Sequence, residues 1–371
     1  VRIGVPKEIK DHEYRVGLSP AGAGVFAAHG HTVLVQAGAG AAIGLSDAQY
    51  AGAGATVLPD AAAVYAQAEM IVKVKEPQPA ERALLRDGQL LYAFLHLAPD
   101  PLLAAALLDS GAVCVAYETI TGPGGGLPLL APMSEVAGRM AVQAAATLLE
   151  KPHGGMGVLL GGVPGVPAAH VVIIGAGRVG ANAAQMAAGL GARVTVLDGD
   201  VDRLRALDRV FGNRIATRHA GAAAIAEVVP DADAVIGAVL VAGAAAPKLV
   251  TRATIAAMKP GSVVVDVAID QGGCFETSRA TTHAEPTYVV DGVIHYCVTN
   301  MPSAVARTAT LALNNATLAH GLALADLGWR AAMRDDPHLR AGLNIAHGRV
   351  THEAVARGLG RPCFPALQLL G

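Results

Sequence analysis

Three glycines in the run VVIIGAGRVG, residues 171–180, could together grip a diphosphate. Gly175 permits a tight turn, Gly177 lets the backbone approach the pyrophosphate, and Gly180 lets helix and strand pack closely. The free N–H groups at the start of the following helix, and its dipole, then face the anion. A glycine pattern alone is weak evidence. Here a β-branched strand precedes it, a helical stretch (ANAAQMAAGLGA) follows, and a second strand, RVTVLD, ends at Asp198. Strand, helix and a carboxylate roughly 20 residues on complete the dinucleotide fingerprint. Asp198 is placed to accept hydrogen bonds from the adenosine ribose and to repel a 2′-phosphate, which favours NAD over NADP. Arg203 lies close enough in sequence to soften that preference. The plainer alternative, a glycine turn with a helix-capping aspartate, leaves the full context unexplained.

In open parallel sheets, ligands bind beyond the carboxyl ends of the strands. That rule selects Arg15 after the first strand, Lys75 after MIVKV, His96 after QLLYAFL and Glu118 after AVCVAY. In the second half it selects Asp198, Asp270 and Asn300. Arg15 can bind a carboxylate bidentately and Lys75 can add a point charge, although each reads equally well as an ordinary surface cation. His96 can act as a general acid or base, or can be a plain loop histidine. Asp266 sits inside an apolar strand, so burial with a hydrogen-bond partner is expected. Glu118 is expected to be a structural acceptor. No HxxxH or paired histidine–carboxylate cluster points to a metal, and none is expected.

Strands alternate with helices from the start of the chain. RIGV is followed by a helix with Ser19 as N-cap, Pro20 at its first position and Gly30 as its stop. HTVLVQ, MIVKV, QLLYAFL and AVCVAYE continue the strand series. A long helix with Ser134 as N-cap, then the Gly/Pro-rich HGGMGVLLGGVPGVP, leads to a second βαβ series through HVVIIG, RVTVLD, DAVIGAVL, SVVVDVAI and VIHYCV. From about Ser303 the sequence reads as helical. The expected fold class is α/β, with two doubly wound parallel-sheet (Rossmann-like) domains and an inter-domain cleft. The expected substrate domain is discontinuous, 1–129 plus 307–371, and the NAD-binding domain is 130–306.

Composition narrows the classes. Of 371 residues, 53% are hydrophobic and 16% charged, enough apolar material for large cores. A formal net charge of -2 and 4% aromatics leave neither the basic footprint nor the stacking surface of a nucleic-acid binder. The four cysteines, Cys114, Cys274, Cys297 and Cys363, form no CxxC pair, so no disulfide framework is expected. Lys7, Glu8, Lys10 and Asp11 leave no secretory-leader pattern at the start, and a cytoplasmic setting is expected. The uncharged stretch between Lys151 and Arg178 exceeds the roughly 20 residues of a membrane span, but its repeated glycines argue against one.

Several segments are long and unusual: GVPKEIK, EYRVGLSP, VKVKEP, FLHLA, AYET, LPLLAPMSEVAGR, GGVPGVP, IGAVLV, APKLV, DVAIDQGGCFE and NMPSAVARTAT. Through them the chain resembles the alanine dehydrogenase family over essentially its whole length. A related fold serves the NAD-binding subunit of proton-translocating transhydrogenase, without the amino-acid chemistry. The resemblance implies NAD-dependent oxidation of L-alanine to pyruvate and ammonium, and the reverse amination, by a homohexamer. It implies that Arg15 and Lys75 hold the substrate carboxylate, with Asn300 also at the substrate, and that His96 and Asp270 handle protons and water. It implies an NAD site lined by Ser134, Gly175, Gly177, Arg178, Val179, Gly180, Asp198, Arg203, Val239, Leu240, Val267, Ala268, Ile269, Asp270, Arg279, Val298, Thr299, Asn300 and Met301. Two positions depart from the family. Arg178 stands in the glycine turn where smaller residues are common. Leu327 precedes Gly328-Trp329 where some members carry a metal-binding histidine.

Overall fold

The computed structural model describes residues 1–239 and 246–370. The chain divides into two compact units, Val1–Met133 with Ser303–Gly371, and Ser134–Pro302.

The strands of the first unit are short and apolar on both faces: β1 (Arg2–Val5), β2 (Thr32–Gln36), β3 (Thr56–Leu58), β4 (Met70–Val72), β5 (Leu90–Ala93) and β6 (Val113–Ala116). The second unit contributes β7 (His170–Ile174), β8 (Arg193–Asp198), β9 (Ala216–His219), β10 (Ala234–Gly237), β11 (Val263–Asp266), β12 (Thr287–Val290) and β13 (Val293–Tyr296). The chain then returns for β14 (Leu343–Ala346) and β15 (Arg349–Val350). Both sheets are parallel at heart. The first runs β15-β14-β6-β5-β4-β1-β2-β3 and the second β12-β13-β11-β10-β7-β8-β9. Counted over its parallel-paired strands, each contains the doubly wound order 3-2-1-4-5-6, whose direction of winding reverses beside its first strand. The switch points are therefore β1/β4 in one unit and β7/β10 in the other. Near-continuous burial of β4, β5 and β6 follows from helices covering both faces of a parallel sheet.

Local chemistry explains the helix starts. Ser19 caps Pro20–Ala28 by accepting from Gly22 N at 3.2 Å, and Asp100 caps Pro101–Asp109 through Leu103 N at 2.9 Å. In both, the proline sits where no N–H is needed. Ser134 is not an N-cap. The long helix begins one turn earlier, at Ala131, where Pro132 occupies its first turn. The tail is not wholly helical either. β14 pairs antiparallel with β6 and with β15. The intervening His347 and Gly348 have φ of 48° and 72°, which suits a two-residue hairpin turn. β12 is likewise antiparallel, on β13. β12 and β15 are short edge strands and β14 has only four residues, so any alternation is faint in the sequence. No described helix is long and apolar enough to cross a membrane.

Candidate active site

In the second unit the glycine turn is built as its sequence demands. Gly175 has φ 109°, and a Cβ there would strike the Ala238 carbonyl at the end of β10. A Cβ on Gly180 would lie on the Gly175 carbonyl oxygen, whereas at Gly177 only the Arg203 guanidinium comes within 4 Å. Gly175 and Gly180 thus serve close backbone packing, and Gly177 leaves the approach to the helix start open. The helix Arg178–Gly189 begins immediately after it. A turn and helix start of this shape can cradle a diphosphate.

A cavity of about 260 Å³ lies over this turn, at the switch point. Ser134, Gly175, Gly177, Arg178, Val179, Asp198, Arg203 and Val239 line it, with Leu197, Ala220 and Leu249 among its other walls. Asp198 is 9% exposed at the end of β8. Its Oδ2 accepts from Ala176 N at 2.6 Å and its Oδ1 from Asp200 N at 2.7 Å. The carboxylate therefore ties the glycine turn to the next strand's exit. Arg203 Nη1 stands 3.8 Å from Asp198 Oδ2 and pairs with Asp200 as well. Arg178 pairs with Glu135 at 3.1 Å across exposed side chains. Leu240 lies outside the described residues.

The remaining candidates of this unit lie on β11 and beyond. Asp266 ends β11, and Val267–Gln271 form one 3-10 turn after it. Val267 is half-buried, Ala268 and Ile269 are buried, and Asp270 is exposed. Arg279 is exposed and lies over the Tyr288 ring at 4.1 Å, while its N–H donates to the Tyr288 hydroxyl at 2.8 Å. Val298 and Met301 are buried in the core beneath the glycine-turn helix. Thr299 N bonds Thr281 O at 3.2 Å. Asn300 has φ 60°, and its carbonyl accepts from His283 Nε2 at 3.3 Å.

In the first unit, β1, β4 and β5 are consecutive parallel neighbours. The loop after β1, Lys75 and His96 therefore emerge along one carboxyl edge. The loop is pinned to the end of β4 at several points. Glu8 Oε1 accepts from Val74 N at 2.7 Å, Lys10 pairs with Glu76, and Gly17 packs so closely on the Val72 carbonyl that a Cβ would collide with it. Burial pushes the Glu76 carboxyl up, but Lys10 and Lys75 outweigh it and hold it below its ordinary value. Arg15 is 2% exposed, with Nε and Nη2 on the two Glu13 oxygens at 2.7 and 2.5 Å and Nη1 on Met133 Sδ at 3.1 Å. Lys75 is half-buried. His96 is exposed and has φ 49°. Left-handed backbone costs a non-glycine residue about 1–2 kcal/mol. Glu118 offsets this by accepting from His96 N at 2.6 Å and from Leu95 N at 3.2 Å. Glu118 is thus a structural acceptor for the strand end that carries His96.

Beneath this edge lies a cluster absent from the sequence-derived candidates. Lys73, fully buried, donates to Glu81 at 2.8 Å and to Glu8 at 3.1 Å. Burial opposes the Lys73 charge, but the two carboxylates prevail and hold the ammonium above its ordinary value. Burial pushes the Glu8 carboxyl up. Lys73 inside the apolar strand MIVKV was the available signal, since a cation buried in a two-faced strand requires counter-ions. Glu13 was the other omission, detectable only as an acid two residues before Arg15. Among the described residues, no cluster of three or more His, Cys, Asp or Glu could hold a metal ion.

The chain matches two family models, alanine dehydrogenase/PNT N-terminal domain over residues 4–137 and alanine dehydrogenase/PNT C-terminal domain over 141–353. It is 60% identical over 371 residues to a protein named alanine dehydrogenase from Halomonas elongata, covering 100% of both chains. It is 54% identical over 369 residues to one of that name from Bacillus subtilis, covering 99% of this chain and 97% of the relative. A solved structure named L-alanine dehydrogenase superposes with a TM-score of 0.95 at 49% identity, over 97% of this chain and 99% of that one. A transhydrogenase from Sinorhizobium meliloti gives 0.79 at 27% identity, over 95% of this chain and 100% of that one.

Proposed function

The chain belongs to the alanine dehydrogenase/PNT family and is an oxidoreductase, and from that premise we propose that it oxidises L-alanine with NAD and water to pyruvate, ammonium, NADH and a proton, and catalyses the reverse amination. One observation beyond family membership carries the reading. Arg15, Lys75 and His96 follow neighbouring strands on the carboxyl edge of one sheet, where a small anionic substrate can be held and a proton moved. A subunit that only binds nucleotide has no use for that set.

NAD, when bound, supplies the hydride acceptor. The glycine cradle and the start of the helix Arg178–Gly189 hold its diphosphate, and Asp198 its adenosine ribose. Arg15, oriented by Glu13, and Lys75 hold the alanine carboxylate. Loss of hydride from Cα leaves an iminium. Asp270 orients the water that adds to it, and His96 moves the proton as the carbinolamine collapses to pyruvate and ammonia. Asn300 joins the substrate-binding set. The negative charge of Asp198 disfavours a 2′-phosphate, which supports NAD over NADP. Family membership also supports a cytoplasmic homohexamer, which cell fractionation and sedimentation test.

The deciding experiment follows NADH absorbance with L-alanine at mildly alkaline pH, with NADP as control. NADH formation with little NADPH formation is the expected result. NAD binding without alanine oxidation would overturn the reading.

A further inference from the structure

Asp266 is wholly buried at the end of β11 and gathers donors on both of its oxygens. Its Oδ1 accepts from Ala268 N at 3.0 Å and lies 3.8 Å from Cys274 Sγ. Its Oδ2 accepts from Cys274 N at 2.9 Å and from Ser278 Oγ at 2.5 Å. A carboxylate offers about four lone-pair positions, and here all are engaged. The donors come from three places along the chain. Ala268 belongs to the 3-10 turn that carries Asp270. Cys274 closes the Gly272-Gly273 loop after it. Ser278 directly precedes Arg279.

The surrounding backbone is shaped around this one side chain. Gly273 has φ 79°, and a Cβ there would collide with Asp266 Oδ2. A Cβ on Gly237, at the end of β10, would approach Asp266 Oδ1 within 3.1 Å and run into Cys274 Sγ. The far end of the turn is held separately, by Lys248 Nζ on the Gly272 carbonyl at 2.6 Å. Exposed Asp270 therefore stands on a short turn fixed at both ends, one end by a buried carboxylate and the other by an ammonium.

We propose that Asp266 is a positioning residue, which sets the placement of Asp270 and of Arg279 through the donors it gathers. The inference rests on the role of Asp270 proposed above. Its selectivity comes from geometry: Asp266 itself touches neither substrate nor cofactor, and acts only through the turn and loop it ties together. Asp266→Asn keeps the shape but turns an NH2 toward N–H and O–H donors, so at least one tie is lost. A displacement of about 1 Å in a reacting group can cost on the order of 100-fold in rate.

The test is a double-mutant cycle on the full-length enzyme, reading single-turnover NADH formation with stoichiometric enzyme, together with NAD affinity by fluorescence. Asp266→Asn is expected to slow the reaction about 10- to 100-fold, and to add little in an Asp270→Asn background. Unchanged turnover in folded Asp266→Asn overturns the proposal, as does an equal loss in both backgrounds, which is what a general weakening of the unit would give. If Asp266→Asn fails to fold, Ser278→Ala, which removes one donor only, takes its place in the same cycle under the same criteria. Should Asp270→Asn alone turn over normally, the catalytic reading of Asp270 fails, and with it the proposal. That outcome is distinct from a failure of Asp266 to couple.

Discussion

Replacing Lys73 by methionine isolates the buried charge cluster under the carboxyl edge of the first sheet. Met fills much of the same volume, so the loss is mainly electrostatic. The wild-type ammonium sits 2.8 Å from Glu81 and 3.1 Å from Glu8, with all three side chains buried. Breaking a buried ion pair by deleting one partner costs roughly 3–5 kcal/mol, because the remaining charge has no counter-ion. At about 2–4 °C per kcal/mol, the first unit's apparent melting temperature should fall by about 6–20 °C. The pH dependence gives the sharper check. Glu8 is already pushed above its ordinary value by burial against the pull of Lys73, and removing Lys73 pushes it further. A carboxyl whose folded pKa is raised takes up a proton on folding. Its favourable contribution is present below the unfolded pKa and is lost as pH rises through the folded one. The gap between wild type and Lys73→Met should thus widen as pH rises above the ordinary carboxylate range, by up to about 1.4 kcal/mol per pH unit. Thermal melts across that rise in pH, with Lys73→Met/Glu8→Gln/Glu81→Gln as the charge-free control, read it directly. The control should recover most of the loss. A gap that is constant with pH, or a control as unstable as the single variant, would refute the reasoning.

Four other outcomes can be checked by steady-state kinetics and cofactor titration. His96→Ala and Asp270→Ala should each keep NAD affinity while losing about 10²–10⁴-fold in kcat, and normal turnover in either would remove that residue from the mechanism. Lys75→Met should raise KM for pyruvate at least about tenfold with NAD binding unchanged, since one charge-assisted hydrogen bond is worth about 1.5–3 kcal/mol. Asp198→Asn should raise kcat/KM with NADP about tenfold or more, from like-charge repulsion of about 1–4 kcal/mol at 4 Å. The same variant should bind NAD more weakly, because its amide cannot accept from both Ala176 N and Asp200 N. Gly180→Ala should abolish NAD binding, as its Cβ has no room beside the Gly175 carbonyl; retained affinity there would mean that the turn relaxes.

Much of this fold was legible because parallel strands advertise themselves. Runs such as HVVII and SVVVD are apolar on both faces, and their carboxyl ends are where polar residues become informative. The glycine turn was legible for the same reason: each glycine answers a steric demand that the flanking strand and helix create. What escaped was non-local or faint. β12 and β15 are edge strands and β14 lies next to an edge, and at two to four residues all three are too short to show a period. Ser134 was misassigned as a cap because the helix starts about one turn before it, at Ala131, with Pro132 in the first turn. The partners of Lys73 lie 65 and 8 residues away, and no local pattern links them.

Glu13 alters the proposed substrate clamp most. From sequence, Arg15 and Lys75 contribute one positive charge each. In the structure the Arg15 guanidinium already lies along a buried carboxylate through two N–H groups, so most of its charge is balanced. Its remaining value is directional: a planar donor edge, fixed in place, suits one carboxylate geometry. Lys75 brings a compact charge without that fork. Arg15 and Lys75 variants should therefore fail differently. Arg15→Lys, which keeps the charge but loses the fork, should depress kcat/KM with little change in the salt dependence of KM. Lys75→Met should make KM nearly insensitive to ionic strength. Equal salt dependence in the two variants would mean that Glu13 does not neutralise Arg15 toward the substrate.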